Sequence, residues 1–148
     1  TDIPGLIHNR YGEGEAALIT FNIGSMYELT RHYGHSALVI SSLTGLMNYQ
    51  KDLDTDASPL IEISRQRDPH GKFEWYGLMN HSGQLGNGFH RSFPARQIHL
   101  SFEPMKPVRA VKSLFRNEAL EIHPGRDGKI GVEIPELENY EVILVEYE

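Results

Sequence analysis

Apolar and polar positions alternate cleanly in the second half of this chain and poorly in the first. Ile98, Leu100 and Phe102 alternate with Gln97, His99 and Ser101, and Ile130, Val132 and Ile134 alternate with Lys129, Gly131 and Glu133. A period of two predicts strands with one buried and one wet face. Phe73, Trp75, Gly77 and Met79 alternate in the same way against Glu74 and Tyr76. Leu60, Ile61 and Ile63 precede them as a strand, and Asp68-Pro69-His70-Gly71 supplies the turn of a hairpin. Residues 108–115 form a further strand, Asn117-Glu118 turns the chain into Leu120 and Ile122, and residues 123–128 are a loop. Residues 140–147 favour strand on both faces. Short strands with turns at this spacing predict a compact antiparallel β-sandwich.

The first fifty residues follow another rhythm. Gly12-Glu13-Gly14 makes a turn, and residues 16–21 are a short apolar run that reads as a buried strand. Gly24 and Ser25 interrupt it. Residues 35–50 then carry Val39, Leu43, Leu46 and Met47 at spacings of three and four, a helix face, with Ser36 as its N-cap. A strand and a helix without further partners resemble part of an α/β layer. The stretch KDLDTDASP, residues 51–59, is charged, small and proline-terminated, and serves as the linker. The expected division is therefore a partial α/β segment over residues 1–58 and a sandwich over residues 59–148, an α+β chain that is mainly β.

At 148 residues, with 39% hydrophobic and 23% charged residues, the composition is globular. A mean hydropathy of -0.41 and the lack of a long apolar run exclude a helical membrane span. A formal net charge of -6 with scattered basic residues argues against a nucleic-acid backbone as partner. The absence of cysteine removes disulfides, thiolate metal sites and thiol nucleophiles, and leaves the compartment open. The N-terminus shows no basic segment followed by an apolar core, so either a leader has been removed or the chain starts inside a longer one.

The stretch that most resembles a site is residues 78–94, LMNHSGQLGNGFHRSFP, where Gly83, Gly86 and Gly88 suggest a phosphate cradle flanked by Asn80, His81 and His90. Such cradles feed a helix whose amides face the anion, whereas Pro94 and an alternating strand follow here. A connection between strands is the better reading. Among the histidines, His32, His35, His81, His90 and His99 are the pool for a metal, yet none are at the four-residue spacing of a helical zinc motif. Glu133, Glu136, Glu138, Glu141, Glu146 and Glu148 could furnish the paired carboxylates of glycoside hydrolysis, but they read as a solvated face. Trp75, Tyr76, Phe89 and Phe93 could stack on a sugar; the expectation is that Trp75 fills the core of the hairpin and Tyr76 lies on the opposite face. No catalytic, cofactor-binding or metal-binding residues are assigned, and no cofactor is expected.

Three pieces in order carry a family resemblance. YGEGEAALITFNIGSMYELTRHYGHSALVISSLTGLM resembles the last strand and helix of the glutamine-amidotransferase-like α/β domain, or β-galactosidase trimerisation-type domain, of multidomain bacterial glycoside hydrolases. WYGLMNHSGQLGNGF resembles the strand and loop that follow it, and VKSLFRNEALEIHPGRDGKIGVEIPELENYEVILVEYE the C-terminal β-sandwich. The resemblance implies that the catalytic barrel lies N-terminal to Thr1 and that its paired carboxylates map to no residue here. It implies a noncatalytic accessory region supporting domain packing or oligomerisation. The alternative is a free-standing carbohydrate-binding module, and a third reading is a small enzyme using His81 and His90. Expected partners are the catalytic domain of the same parent chain, a second copy of the chain, and carbohydrate; nucleic acid and membrane are not expected.

Overall fold

A computed structural model describes residues 3–30, 32–46, 49, 51–125 and 128–148. The chain divides into two compact units, Thr1–Lys51 and Asp52–Glu148.

In the first unit, strands β1 (Leu6–Tyr11) and β2 (Gly14–Ile19) pair antiparallel, so the expected single strand is a hairpin. Gly12, at a φ of 61°, is the first residue of the two-residue connection, the conformation that glycine adopts without steric cost and that matches strand twist. Helix α1 (Ile23–Thr30) runs through Gly24 and Ser25, which were expected to break the chain. Asn22 overrides them by accepting the Ser25 amide at 3.2 Å through its side chain. Helix α2 (Tyr33–Ser41) continues into a π-helical turn, Ser42–Leu46. Its N-cap is His32, whose Nδ1 accepts the Gly34 amide at 3.1 Å; Ser36 instead donates its hydroxyl to the Tyr33 carbonyl. Of the expected apolar face, Leu43 and Leu46 are exposed, and Met47 lies outside the described residues.

The second unit is the antiparallel β-sandwich. Its strands are β3 (Leu53–Thr55), β4 (Ile61–Arg67), β5 (Phe73–Asn80), β6 (Gln84–Leu85), β7 (Gly88–Phe89), β8 (Ala95–Phe102), β9 (Val108–Ser113), β10 (Glu118–Leu120), β11 (His123–Pro124), β12 (Ile130–Leu137) and β13 (Tyr140–Tyr147). One sheet has the order β10-β9-β13-β5-β4 and the other β11-β12-β8-β3, while β6 and β7 form a small hairpin of their own. The loop that contained Arg126 and Asp127 falls partly outside the described residues.

Both sheets contribute to one core. Leu78, Val111, Ile143 and Val145 come from the first, and Ile98, Leu100, Phe102, Val132, Ile134 and Leu137 from the second, each at most 3% exposed. Full burial of such a side chain is worth about 1.5–3 kcal/mol, so this interior is the dominant stabilising feature of the unit. The alternation expected in β8 and β12 sets these inward positions.

Strand β5 faces the other way from its expected phase. Tyr76 is fully buried and packs on Phe102 of the opposite sheet with ring centroids 4.7 Å apart, whereas Phe73 and Met79 are exposed and Trp75 is half-buried on the outer surface. Counting apolar residues favoured the Phe73–Trp75–Met79 face, because the inner face also carries Glu74 and Asn80. Those polar groups are tolerated inside because each has partners there.

Strand β3 falls within the stretch read as a linker. Asp52, Asp54 and Asp56 alternate along it, and each meets a basic side chain of the same unit: Arg65 at 2.6 Å, Lys129 at 2.5 Å and His99 at 2.7 Å. Charges that looked like solvation of a flexible segment instead tie it to the sandwich.

Candidate functional site

Register dictates where the polar residues of the sandwich converge. On edge strand β4, Arg65 lies opposite Tyr76 and Arg67 opposite Glu74, so both arginines share the inner side with Ile61 and Ile63. Glu74 is fully buried. Its carboxylate accepts from Arg65 Nε at 2.9 Å, Arg65 Nη2 at 3.0 Å, Arg67 Nε at 3.2 Å and the Tyr76 hydroxyl at 3.1 Å. Arg65 also donates to the Glu103 carbonyl at 3.1 Å and sits 5.3 Å above the Tyr76 ring. Burial, reinforced by the Glu74 charge, holds the Tyr76 phenol far above its usual range. Tyr147, buried beside the same carboxylate, is pushed up to about 12 by burial first and by its hydrogen bond to Glu74 second. The network holds β4 and β5 together and, through Arg65 to Asp52 and the Glu103 carbonyl, ties them to the β3 segment and the end of β8.

The other buried carboxylate, Glu141, has an equally structural role. It accepts the Ser113 hydroxyl at 2.6 Å, the Phe115 amide at 3.0 Å and the Val142 amide at 2.8 Å, which fixes the turn after β9. Glu74 and Glu141 therefore have neither the solvent access nor the free acceptor capacity of a general acid and base pair. The remaining glutamates singled out from the sequence are dispersed: Glu133 meets His99 at 3.2 Å, Glu136 meets Arg96 at 2.9 Å, and Glu146 meets Arg109 at 3.2 Å and Lys112 at 2.9 Å.

The glycine loop is a pinned connection. Asn80, buried at the end of β5, donates from Nδ2 to the carbonyls of Phe93 and Glu138, both at 2.8 Å, and accepts the Ser82 amide at 3.1 Å. Gly83 is buried where the chain doubles back, and a Cβ there would stand 2.2 Å from the His90 carbonyl oxygen. The loop's amides and carbonyls thus meet each other, not an open anion site. His81 pairs with Glu62 at 3.0 Å, while His90 is exposed and its backbone amide donates to Gly83 at 2.7 Å. Phe89 and Phe93 are exposed on this loop.

The histidines do not converge. The His32 and His35 rings lie 5.6 Å apart at the start of α2, and His99 stands between Asp56 and Glu133 on the outer face of the second sheet. Among the described residues no group of three or more histidine or acidic side chains is placed to hold a metal ion.

A groove crosses the outer face of the first sheet. Neighbouring residues of three strands line it: Glu62, Met79 and Tyr140 in one row, Ser64, Gly77 and Val142 in the next, and Trp75 beyond them. Its volume is about 260 Å³, with Trp75 and Tyr140 on its walls and Gly77 on its floor. The sequence reading missed this groove because it placed Trp75 inside. The signal was available in β4, whose Ile61, Ile63, Arg65 and Arg67 share one face and leave Glu62, Ser64 and Gln66 on the other.

No protein-family model matches this sequence, and no curated protein matches it. Among solved structures, the chain is similar to an alpha-L-fucosidase isoenzyme 2 from Paenibacillus thiaminolyticus, with a TM-score of 0.72 and 19% identity over 98% of this chain and 22% of that one. It also matches a cycloisomaltooligosaccharide glucanotransferase from Paenibacillus sp. more loosely, with a TM-score of 0.45 and 14% identity over 69% of this chain and 19% of that one. The first likeness is one of fold. The chain spans about a fifth of the fucosidase's length, as the 22% coverage states.

Proposed function

We propose that this chain is a noncatalytic accessory region of a larger glycoside-hydrolase-type protein, in which the sandwich is a self-sufficient body and the first unit packs against the remainder of that protein. One observation carries the reading. Among the described residues of the first unit only Ser42 is buried, while Leu18, Leu29 and Tyr33 are 60%, 81% and 70% exposed, and Phe21, Met26 and Ile40 are each 44% exposed. Apolar side chains in that density on one small unit mark a surface that is completed by another body. The fold likeness to part of an alpha-L-fucosidase supports the choice of that body, a glycoside hydrolase's catalytic part. The hydrogen bonds made to Glu74 and Glu141 support the noncatalytic assignment, since the buried carboxylates are committed to structure.

The test uses the chain and the region encoded upstream of Thr1, produced separately and mixed. Association is expected, with hydrogen-exchange protection appearing in α1 and α2 only in the mixture, and Leu29→Asp is expected to weaken it tenfold or more. The chain alone is expected to give no turnover of aryl glycosides. Turnover abolished by replacing a single carboxylate would overturn the reading, as would failure of the two parts to associate.

A further inference from the structure

The groove on the outer face of the first sheet brings an aromatic ring, a glycine and polar side chains together. In the middle of β5, Gly77 leaves a trough: the Trp75 ring leans over it, with Cζ3 3.0 Å and Cε3 3.7 Å from where a Cβ would stand, and the Ser64 hydroxyl oxygen is 3.0 Å from the same point. Tyr140 and Met79, both about half exposed at 53% and 52%, form the opposite side. Glu62 stands at the rim with its side chain 68% exposed; one oxygen meets His81 Nε2 at 3.0 Å, and a carboxylate has capacity for further donors. The Ser64 hydroxyl donates a long hydrogen bond, 3.4 Å, to the Gly77 carbonyl.

From this arrangement we infer that the Trp75–Gly77–Tyr140 groove binds a neutral sugar ring. A pyranose has an apolar C–H face and a periphery of hydroxyls, and the groove offers the matching pair: aromatic walls for the face, and the Glu62 carboxylate and Ser64 hydroxyl for the periphery. Its volume of about 260 Å³ lies just below the roughly 300–1,000 Å³ of sites for larger organic ligands, so it takes one ring of a chain, not an enclosed oligosaccharide. Charge narrows the ligand further. Among the described residues no lysine or arginine lines the groove and Glu62 stands at its rim, which disfavours phosphorylated sugars and uronic acids.

Trp75 is the single tryptophan of the chain, so its emission reports on the groove without a label. The full chain is titrated with D-glucose, D-galactose, L-fucose, cellobiose and maltose, and with glucuronate as the charged control. A saturable change with at least one neutral saccharide is expected, with glucuronate binding several-fold more weakly. Gly77→Val pushes the Trp75 ring and the Ser64 hydroxyl away from their places over the strand, and should weaken binding at least tenfold. Glu62→Gln, at an exposed position that leaves the fold intact, should weaken the neutral sugar and remove the discrimination against glucuronate. The absence of a saturable response to every neutral saccharide overturns the inference, and so does a response that Glu62→Gln and Gly77→Val leave unchanged.

Discussion

Arg65 grips Glu74 with two parallel hydrogen bonds, Nε at 2.9 Å and Nη2 at 3.0 Å, across the β4–β5 pair inside the sandwich. A fork-on-fork pair of this kind fixes both side chains, yet most of its effect on stability is felt when one partner is lost. Arg65→Met removes two of the hydrogen bonds that satisfy a fully buried carboxylate and leaves it with Arg67, Tyr76 and Tyr147. We expect a loss of about 3–5 kcal/mol in urea unfolding. The double variant Arg65→Met with Glu74→Leu should recover most of that loss, because no unpaired charge then stays inside.

His99 sets a pH dependence with a defined sign. Its hydrogen bond to Asp56, together with the nearby charges of Asp56 and Glu133, raises its pKa above the ordinary 6.5. A histidine that binds its proton more tightly when folded contributes stability in full below its unfolded pKa, and the contribution disappears as the pH rises through the folded value. Asp56 behaves in the opposite sense. Burial works to raise its pKa, but the hydrogen bonds from His99 outweigh it and bring it below 3.8, so its contribution disappears as the pH falls through that lowered value. The pair should hold the β3 segment best between the two ordinary values and loosen above about 6.5. Urea midpoints measured from about pH 6.5 upward should fall with pH in the native chain, and that fall should flatten in His99→Gln.

The loop after β5 should prove intolerant of small changes. Gly83→Ala places a methyl group against the His90 carbonyl, and overpacking of this kind costs about 1–3 kcal/mol. Asn80→Asp has the same shape but turns the donor that faces the Phe93, Glu138 and, at 3.4 Å, Leu137 carbonyls into an acceptor. Its cost should be about 1–3 kcal/mol or more at neutral pH and should shrink in acid, where the carboxyl regains a proton to donate. Thermal melts at pH 7 and pH 4 would distinguish the two variants, since only the aspartate variant should depend on pH.

The sandwich was legible wherever one face of a strand was uniformly apolar. Ile98, Leu100 and Phe102, and Ile130, Val132 and Ile134, mark their inner faces unambiguously, and the two strands pair in the register that aligns them. Strand β5 was misread because its inner face holds a buried acid and an amide, and single-strand alternation cannot show that Arg65 and Arg67 will arrive opposite to neutralise one of them. Partner strands carry that information. The loop's glycines showed that the backbone needed freedom, but whether for a ligand or for another stretch of backbone depended on residues distant in sequence, such as Glu138 beside Asn80. Helix α1 was missed for a local reason: Asn22 supplies a cap that makes Gly24 and Ser25 tolerable in the first turn.

The two arginines that neutralise Glu74 also determine where the sheet ends. Strand β4 is an edge, with a row of backbone groups that another strand could join. A newcomer would have to set its own inward residues beside Arg65 and Arg67, where an apolar side chain would meet charge. The first sheet therefore stops at five strands, and association through this edge is discouraged by the same residues that hold the interior together.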